Sequence, residues 1–177
     1  IMTRSIILLP DKPMRPRISD VRIGYFPLRK HIYTEKVDEL KKVDYIQRWR
    51  IEPKDEDVER YRNGELVEPK KPIVWYVDPA IPERWRKYIK LGVEDWQAAF
   101  EEIGFKNAIV AKDYPADDPN FDPDDIRYSC YRYITTETAN SMGPAWIDPR
   151  SGEIIQADVL FYHNVIKLLH NWQFVQL

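Results

Sequence analysis

The sequence predicts an α/β (α+β) protein: a mixed, twisted sheet with one long helix packed on it, and a small extended N-terminal segment. Three observations point there. The run "PIVWYVD", residues 72–78, is continuously apolar and rich in β-branched and aromatic residues, as a strand buried on both faces requires. An amphipathic stretch follows from about Glu83 to Ile103, where Trp85, Ile89, Val93, Trp96, Phe100 and Ile103 recur every three or four residues. Two further strand-like runs, "NAIVAKDY" and "DIRYSCYRYIT", complete a strand–helix–strand order suited to a helix-covered sheet.

Taken in order, residues 1–44 hold short apolar runs broken by Pro10, Pro13, Pro16 and Pro27, which favour extended segments over helices. "DYIQRWRIE", residues 44–52, alternates as a strand does. Asn63-Gly64, at the centre of a charged stretch, reads as a two-residue hairpin turn. Residues 1–71 are therefore expected as an extended N-terminal portion with a hairpin, and 72–177 as the main domain. Pro82 suits the first turn of the long helix, and Gly104 followed by Phe105 suits its Schellman-type end. "GPAWID" and "EIIQADVLFY", separated by the Asp-Pro-Arg-Ser-Gly turn, read as an edge strand followed by a regular strand.

Composition narrows the function. A hydrophobic fraction of 44% supports a packed core despite 32% charged residues. The formal net charge of −2, with Lys and Arg dispersed, gives no reason to expect nucleic acid as a partner. No apolar run approaches the length of a membrane span. The single cysteine, Cys130, excludes an internal disulfide and a cysteine-based zinc site. The chain opens on Ile1 and stops inside the apolar pattern "LLHNWQFVQL", so a piece of a longer protein is expected.

Few residues carry chemistry. The six glycines form no phosphate loop. Ser129 and Cys130 lie inside a strand pattern, without a nearby histidine to activate them. "DYPADDPNFDPDDI" gathers Asp113, Asp117, Asp118, Asp122, Asp124 and Asp125; calcium could use such oxygens, but the spacing is not that of an EF-hand loop and Asx turns explain the same residues. His31, His163 and His170 form no H-x-H or H-x-x-x-H pair, so His163 is expected as a polar residue at a strand end. In "GPAWID", Gly143 permits close backbone approach and Pro144 cannot pair on both sides. Two readings stand level: an edge that captures an extended peptide, and an ordinary edge blunted by its proline.

The segments from "PIVWYVD" through "NAIVAKD", "DIRYSCYRYI" and "SMGPAWIDPRSGEIIQADVLFYH" together resemble the upstream half of a metzincin-type zinc metallopeptidase domain, and within that class a group of large bacterial zinc-dependent metallopeptidases. The resemblance covers about Pro72 to Leu177. It implies a metzincin-like upper subdomain whose strand Gly143–Ile147 borders the active-site cleft. Gly143, Pro144, Ala145 and Trp146 would lie nearest a peptide or protein substrate, bound as an added antiparallel strand. It also implies zinc in the longer protein, a bacterial periplasmic or cell-surface location, and a partner in the missing C-terminal half of the same domain. The H-E-x-x-H-x-x-G-x-x-H helix of that family is absent from these 177 residues. No catalytic or metal-binding residue is therefore carried over, and the fragment is expected to be inactive by itself. The alternative is a non-catalytic peptide- or glycan-binding module.

Overall fold

A computed structural model describes residues 4–176. Its elements are β1 (Pro27–Ile32), β2 (Lys41–Ile46), a 3-10 turn (Asp55–Asp57), α1 (Val58–Arg62), β3 (Ile73–Val77), α2 (Glu83–Glu94), α3 (Gln97–Glu101) and β4 (Ile109–Asp113). There follow β5 (Ser129–Ile134), β6 (Ser141–Met142), β7 (Ala145–Ile147), β8 (Ile154–Ala157), β9 (Val159–Tyr162), α4 (Val165–Asn171) and a π-helical turn (Trp172–Gln176). The fold is mixed α/β, as expected, and its residues group into two compact units. The larger comprises 51–144 and 156–176; the smaller comprises 4–50 and 145–155.

The larger unit is built on a five-stranded sheet in the order β4-β3-β5-β9-β6. β3 pairs in parallel with β4 and β5, and β9 runs parallel to β5. Parallel neighbours need a long crossover, which α2 and α3 supply between β3 and β4. β3 is flanked on both sides, and Ile73 and Val77 at its ends are buried, which explains its uninterrupted apolar run. Beside it Val67, Phe105 and Ala108 form a fully buried cluster against Ile51, Tyr61 and Phe100. Burying a side chain such as that of Phe105 contributes roughly 1.5–3 kcal/mol.

The long helix is two helices. At the junction the Asp95 N–H still reaches the Leu91 carbonyl (2.8 Å), but Ala99 turns to the Trp96 carbonyl (3.0 Å), a tighter i→i−3 contact. Gln97 supplies the reason. Its amide donates to the Phe105 carbonyl (3.0 Å) and accepts from the Ala108 N–H (2.8 Å), tying α3 to the segment that leads into β4. The inward row is thus Trp85, Ile89, Val93, Gln97, while Trp96 and Ile103, expected on that face, are 65% and 55% exposed.

Gly104 ends α3 as expected, with φ +90°. Its N–H meets the Glu101 carbonyl and the Phe105 N–H meets the Phe100 carbonyl, both at 2.9 Å, which is the Schellman pair. The same device overturns the hairpin expected at Asn63-Gly64. Gly64, at φ +84°, closes α1 through Gly64 N–H to Tyr61 carbonyl and Glu65 N–H to Arg60 carbonyl bonds, each 3.0 Å. An Asn-Gly pair serves a helix end as well as a tight turn, because both need a left-handed residue.

In the smaller unit β1 and β2 form an antiparallel hairpin, Pro27 opposite Ile46 and Ile32 opposite Lys41. The alternating run 44–52 is regular strand only to Ile46; beyond it Arg48 makes an isolated bridge with Glu153. Arg48 donates to the Gly152 carbonyl (3.0 Å) and accepts from Ile154 N–H (2.9 Å). Gly152, at φ +77°, passes so close that a Cβ there would lie 2.3 Å from the Ile46 carbonyl oxygen.

Two glycine substitutions should therefore differ. Gly64→Ala meets open space and carries only left-handed strain, about 1 kcal/mol. Gly152→Ala adds a backbone clash, and a loss of about 3 kcal/mol or more is expected in urea titrations. Equal losses for the two would show that the Gly152 contact is relieved by a small backbone shift.

Candidate functional site

The expected edge strand Gly143–Ile147 does not form as one element. β6 lies N-terminal to it and pairs antiparallel with β9, Ser141 opposite Phe161 and Met142 opposite Leu160, at the outer edge of the five-stranded sheet. Gly143 and Pro144 follow outside any strand, and Ala145–Ile147 form β7, which pairs with β8. Pro144 accounts for the interruption: without an N–H it cannot make a reciprocal pair. Its carbonyl accepts from the Asp158 N–H (2.9 Å), two residues further along the β6–β9 register. Alternate residues of an extended strand turn their peptide groups to opposite sides. With Met142 paired to Leu160 and Pro144 bonded to Asp158, that alternation is expected to turn the Gly143 N–H and carbonyl away from the sheet. Trp146 is 60% exposed and Ala145 half-buried.

Asp158 holds this edge in place. The regular strand expected over "EIIQADVLFY" divides at this residue into β8 and β9, because its carboxylate turns inward to accept from the Cys130 N–H (2.9 Å) and the Gln156 amide (2.7 Å). Burial pushes the Asp158 carboxyl above its ordinary value, and its hydrogen bonds pull the other way. Cys130 is fully buried, as expected of a pleat residue, and burial raises its thiol to about 11. A thiol so protonated at neutral pH is no nucleophile.

A second concavity lies at the carboxyl ends of β5 and β9, where ligands of parallel sheets commonly sit. It is an open groove of about 510 Å³ between Arg84 and Trp85 of α2 and a second wall of His163, Asn164 and residues of α4. His163 stands at a strand end, as expected. Its N–H donates to the Ile134 carbonyl (2.9 Å), and its Nδ1 is hydrogen-bonded to the Tyr133 hydroxyl. Trp85 packs beside both rings, at 6.1 Å from His163 and 6.5 Å from Tyr133.

The Asp148–Glu153 turn is the most densely bonded part of the smaller unit, and sequence reasoning assigned it nothing beyond a turn. The Asp148 N–H donates to the Glu153 carbonyl (2.8 Å), and the Asp148 carbonyl accepts from Gly152 N–H (2.9 Å). The Asp148 carboxylate, fully buried, grips Arg150 by its backbone N–H (2.8 Å) and by two guanidinium nitrogens (3.0 and 2.7 Å). Those bonds hold its carboxyl below the ordinary range, against the opposing effect of burial. Arg150 also donates to the Pro10 carbonyl (2.7 Å), Arg50 to Lys12 (3.0 Å) and Arg48 to Arg15 (2.9 Å). Three arginines thus ladder along one proline-rich segment, and Met14 within it is buried. Arg50 further pairs with the largely buried Glu153 at 2.6 Å. The visible signal was Arg48 and Arg50 on one face of an alternating run.

The aspartate-rich loop forms the Asx turns expected of it. Asp118, Asp122 and Asp125 accept from the backbone N–H two residues ahead at 2.8–2.9 Å, while Asp124 pairs with Arg132 and Asp125 with Arg127. Among the described residues no three His, Cys, Asp or Glu side chains converge as metal ligands, for calcium or for zinc. No helix among them is long and apolar enough to cross a membrane.

Residues 1–54 match the family described as a domain of unknown function, DUF5117. No curated protein and no solved structure matches the chain. The matched segment is under a third of the 177 residues and largely coincides with the N-terminal part of the smaller unit.

The depressed Asp148 carboxyl makes a signed prediction. A group whose folded pKa lies below its unfolded value, near 4, contributes stability above that value and loses it as pH falls through the folded one. Urea titrations at pH 6 and pH 3 should show the smaller unit weakening in acid. Asp148→Asn should flatten that acid dependence and lower stability at pH 6 by about 2 kcal/mol, the scale of hydrogen bonds to a charged group. An unchanged acid dependence in the variant would assign it to the exposed pairs Asp44–Arg29 and Asp20–Arg22, whose carboxyls are also lowered. Arg50→Ala strands the Glu153 carboxylate, and faster protease cleavage within residues 10–16 is expected.

Proposed function

We propose that the chain is part of a metzincin-type zinc-dependent metallopeptidase, in which it supplies the scaffold and the substrate-binding edge. The observation that carries this reading is the single antiparallel strand at the edge of an otherwise parallel sheet, followed by Gly143 and by Pro144, whose carbonyl is still bonded to the Asp158 N–H. An extended peptide laid antiparallel to 141–144 would take its first backbone hydrogen bonds from Gly143. The absence of a side chain there lets the peptide approach, and Pro144 ends the pairing, so the register of a bound strand is limited to a few residues. Asp158 contributes by positioning: its N–H holds the Pro144 carbonyl and its carboxylate is anchored on β5.

Zinc does not fit the residues present. His163 and His170 stand seven apart, and among the described residues no third ligand joins them. In this reading the metal and the general base belong to sequence beyond Leu177, in a bacterial protein exported to the periplasm or cell surface. The resemblance of "SMGPAWIDPRSGEI" and its flanking strands to that peptidase group supports the assignment. A peptide-binding module that lacks catalysis would use the same edge, so the metal separates the two.

The test uses a protein extended past Leu177. Zinc bound stoichiometrically, with chelator-sensitive peptide hydrolysis, is the expected result; a metal-free, inactive extended protein assigns the edge to a binding module. Gly143→Val is compatible with the fold, since a Cβ there meets only the Asp158 carbonyl at 3.8 Å. It should weaken an extended peptide inhibitor about tenfold or more while leaving zinc content unchanged. Unchanged affinity removes Gly143 from the substrate edge.

A further inference from the structure

We propose that the groove between α2 and α4 binds the carboxylate of an organic acid with an apolar or aromatic body. The proposal stands independently of the peptidase reading. Arg84 and Trp85 form one wall; His163, Ile166, Lys167 and His170 form the other. The chain carries 29 acidic and 27 basic residues, yet among the described residues no carboxylate lines this groove. Arg84 and Lys167 make no ion pair or hydrogen bond to any described residue, unlike the arginines at 48, 50, 132 and 150, which all have partners.

The donors are arranged rather than merely present. The Arg84 guanidinium lies over the Trp85 ring at 4.5 Å, which limits the rotamers it would otherwise surrender on binding. The His163 Nδ1 is engaged by Tyr133, so Nε2 is the ring nitrogen left for a ligand. A planar guanidinium fork and one ammonium match a carboxylate. A phosphate dianion would call for more cationic donors than this one fork and one ammonium. Trp85 and Ile166 supply an apolar surface that bare inorganic ions would leave unused, which is the reason to assign an organic acid.

Hippurate, hippuramide and inorganic phosphate, titrated into this chain by calorimetry at matched ionic strength, test the proposal. Hippurate should bind saturably, weaken with added salt, and shift the Trp85 indole resonance. Hippuramide, which keeps the ring and loses the charge, should bind about tenfold more weakly, as should phosphate. The double variant Arg84→Ala, Lys167→Ala should lose about tenfold for hippurate, with Lys106→Ala, remote and exposed, unchanged. Should the double variant fail to fold, Arg84→Gln and Lys167→Gln, read singly against the wild-type resonance map, decide the same point. Equal binding of hippurate and hippuramide, phosphate binding as tight as hippurate, shifts mapping away from Trp85, or no saturable hippurate binding would each overturn the proposal.

Discussion

A missing N–H shapes much of this protein. Fourteen of its 177 residues are proline, and wherever one lies in extended chain the backbone can pair on one side only. The carbonyls left over still need donors if they are to be buried. Along Pro10, Pro13 and Pro16 those donors are side chains: the guanidinium groups of Arg150, Arg50 and Arg48 reach the carbonyls of residues 10, 12 and 15. The strip is held like a strand without being able to form one. Arginine suits the task because its fork offers several donors from one rigid plane, so Arg50 serves both Lys12 and Glu153.

The same constraint shapes the sheet edge. Pro144 offers a carbonyl to Asp158 and nothing in return, so the β6 pairing ends there and the chain leaves for a different partner strand. An edge that ends so soon resists open-ended strand addition, which is how natural sheets avoid aggregation. In the proposed reading, the same edge accepts one short extended peptide at Gly143.

Turn chemistry and charge are coupled as tightly in the smaller unit. The left-handed Gly152 brings the turn within van der Waals range of the Ile46 carbonyl, where no side chain fits. The bonds from Arg150 lower the carboxyl of buried Asp148 by more than burial raises it. Asp158 shows the complementary case: it is held by neutral donors, and burial raises its carboxyl instead of lowering it. Buried Asp148 and half-buried Asp158, ten residues apart, thus respond to acid in opposite senses, one losing and the other gaining native-state stability as it protonates.

By itself the sequence determined the elements whose signals are local. β3, β4 and β5 were legible as runs of β-branched and aromatic residues, and Gly104-Phe105 as a helix end, because burial on both faces and a left-handed cap leave their mark on adjacent residues. Asx turns in the aspartate loop were legible for the same reason. Only the tertiary structure decided the rest. Gln97 is absent from the apolar row expected of the helix, and its backbone partners lie 8 and 11 residues further on, so the break between α2 and α3 left no periodic sign. Asn63-Gly64 supplies a left-handed residue but not the choice between a hairpin and a helix cap. Asp158 divides a regular alternation because Cys130, 28 residues earlier, presents an N–H to it. The groove flanked by Arg84 and Lys167 joins residues 83 positions apart, neither of which carries a motif. Hydrogen bonds and charges that converge across such separations leave no periodicity behind, and the three-dimensional arrangement alone discloses them.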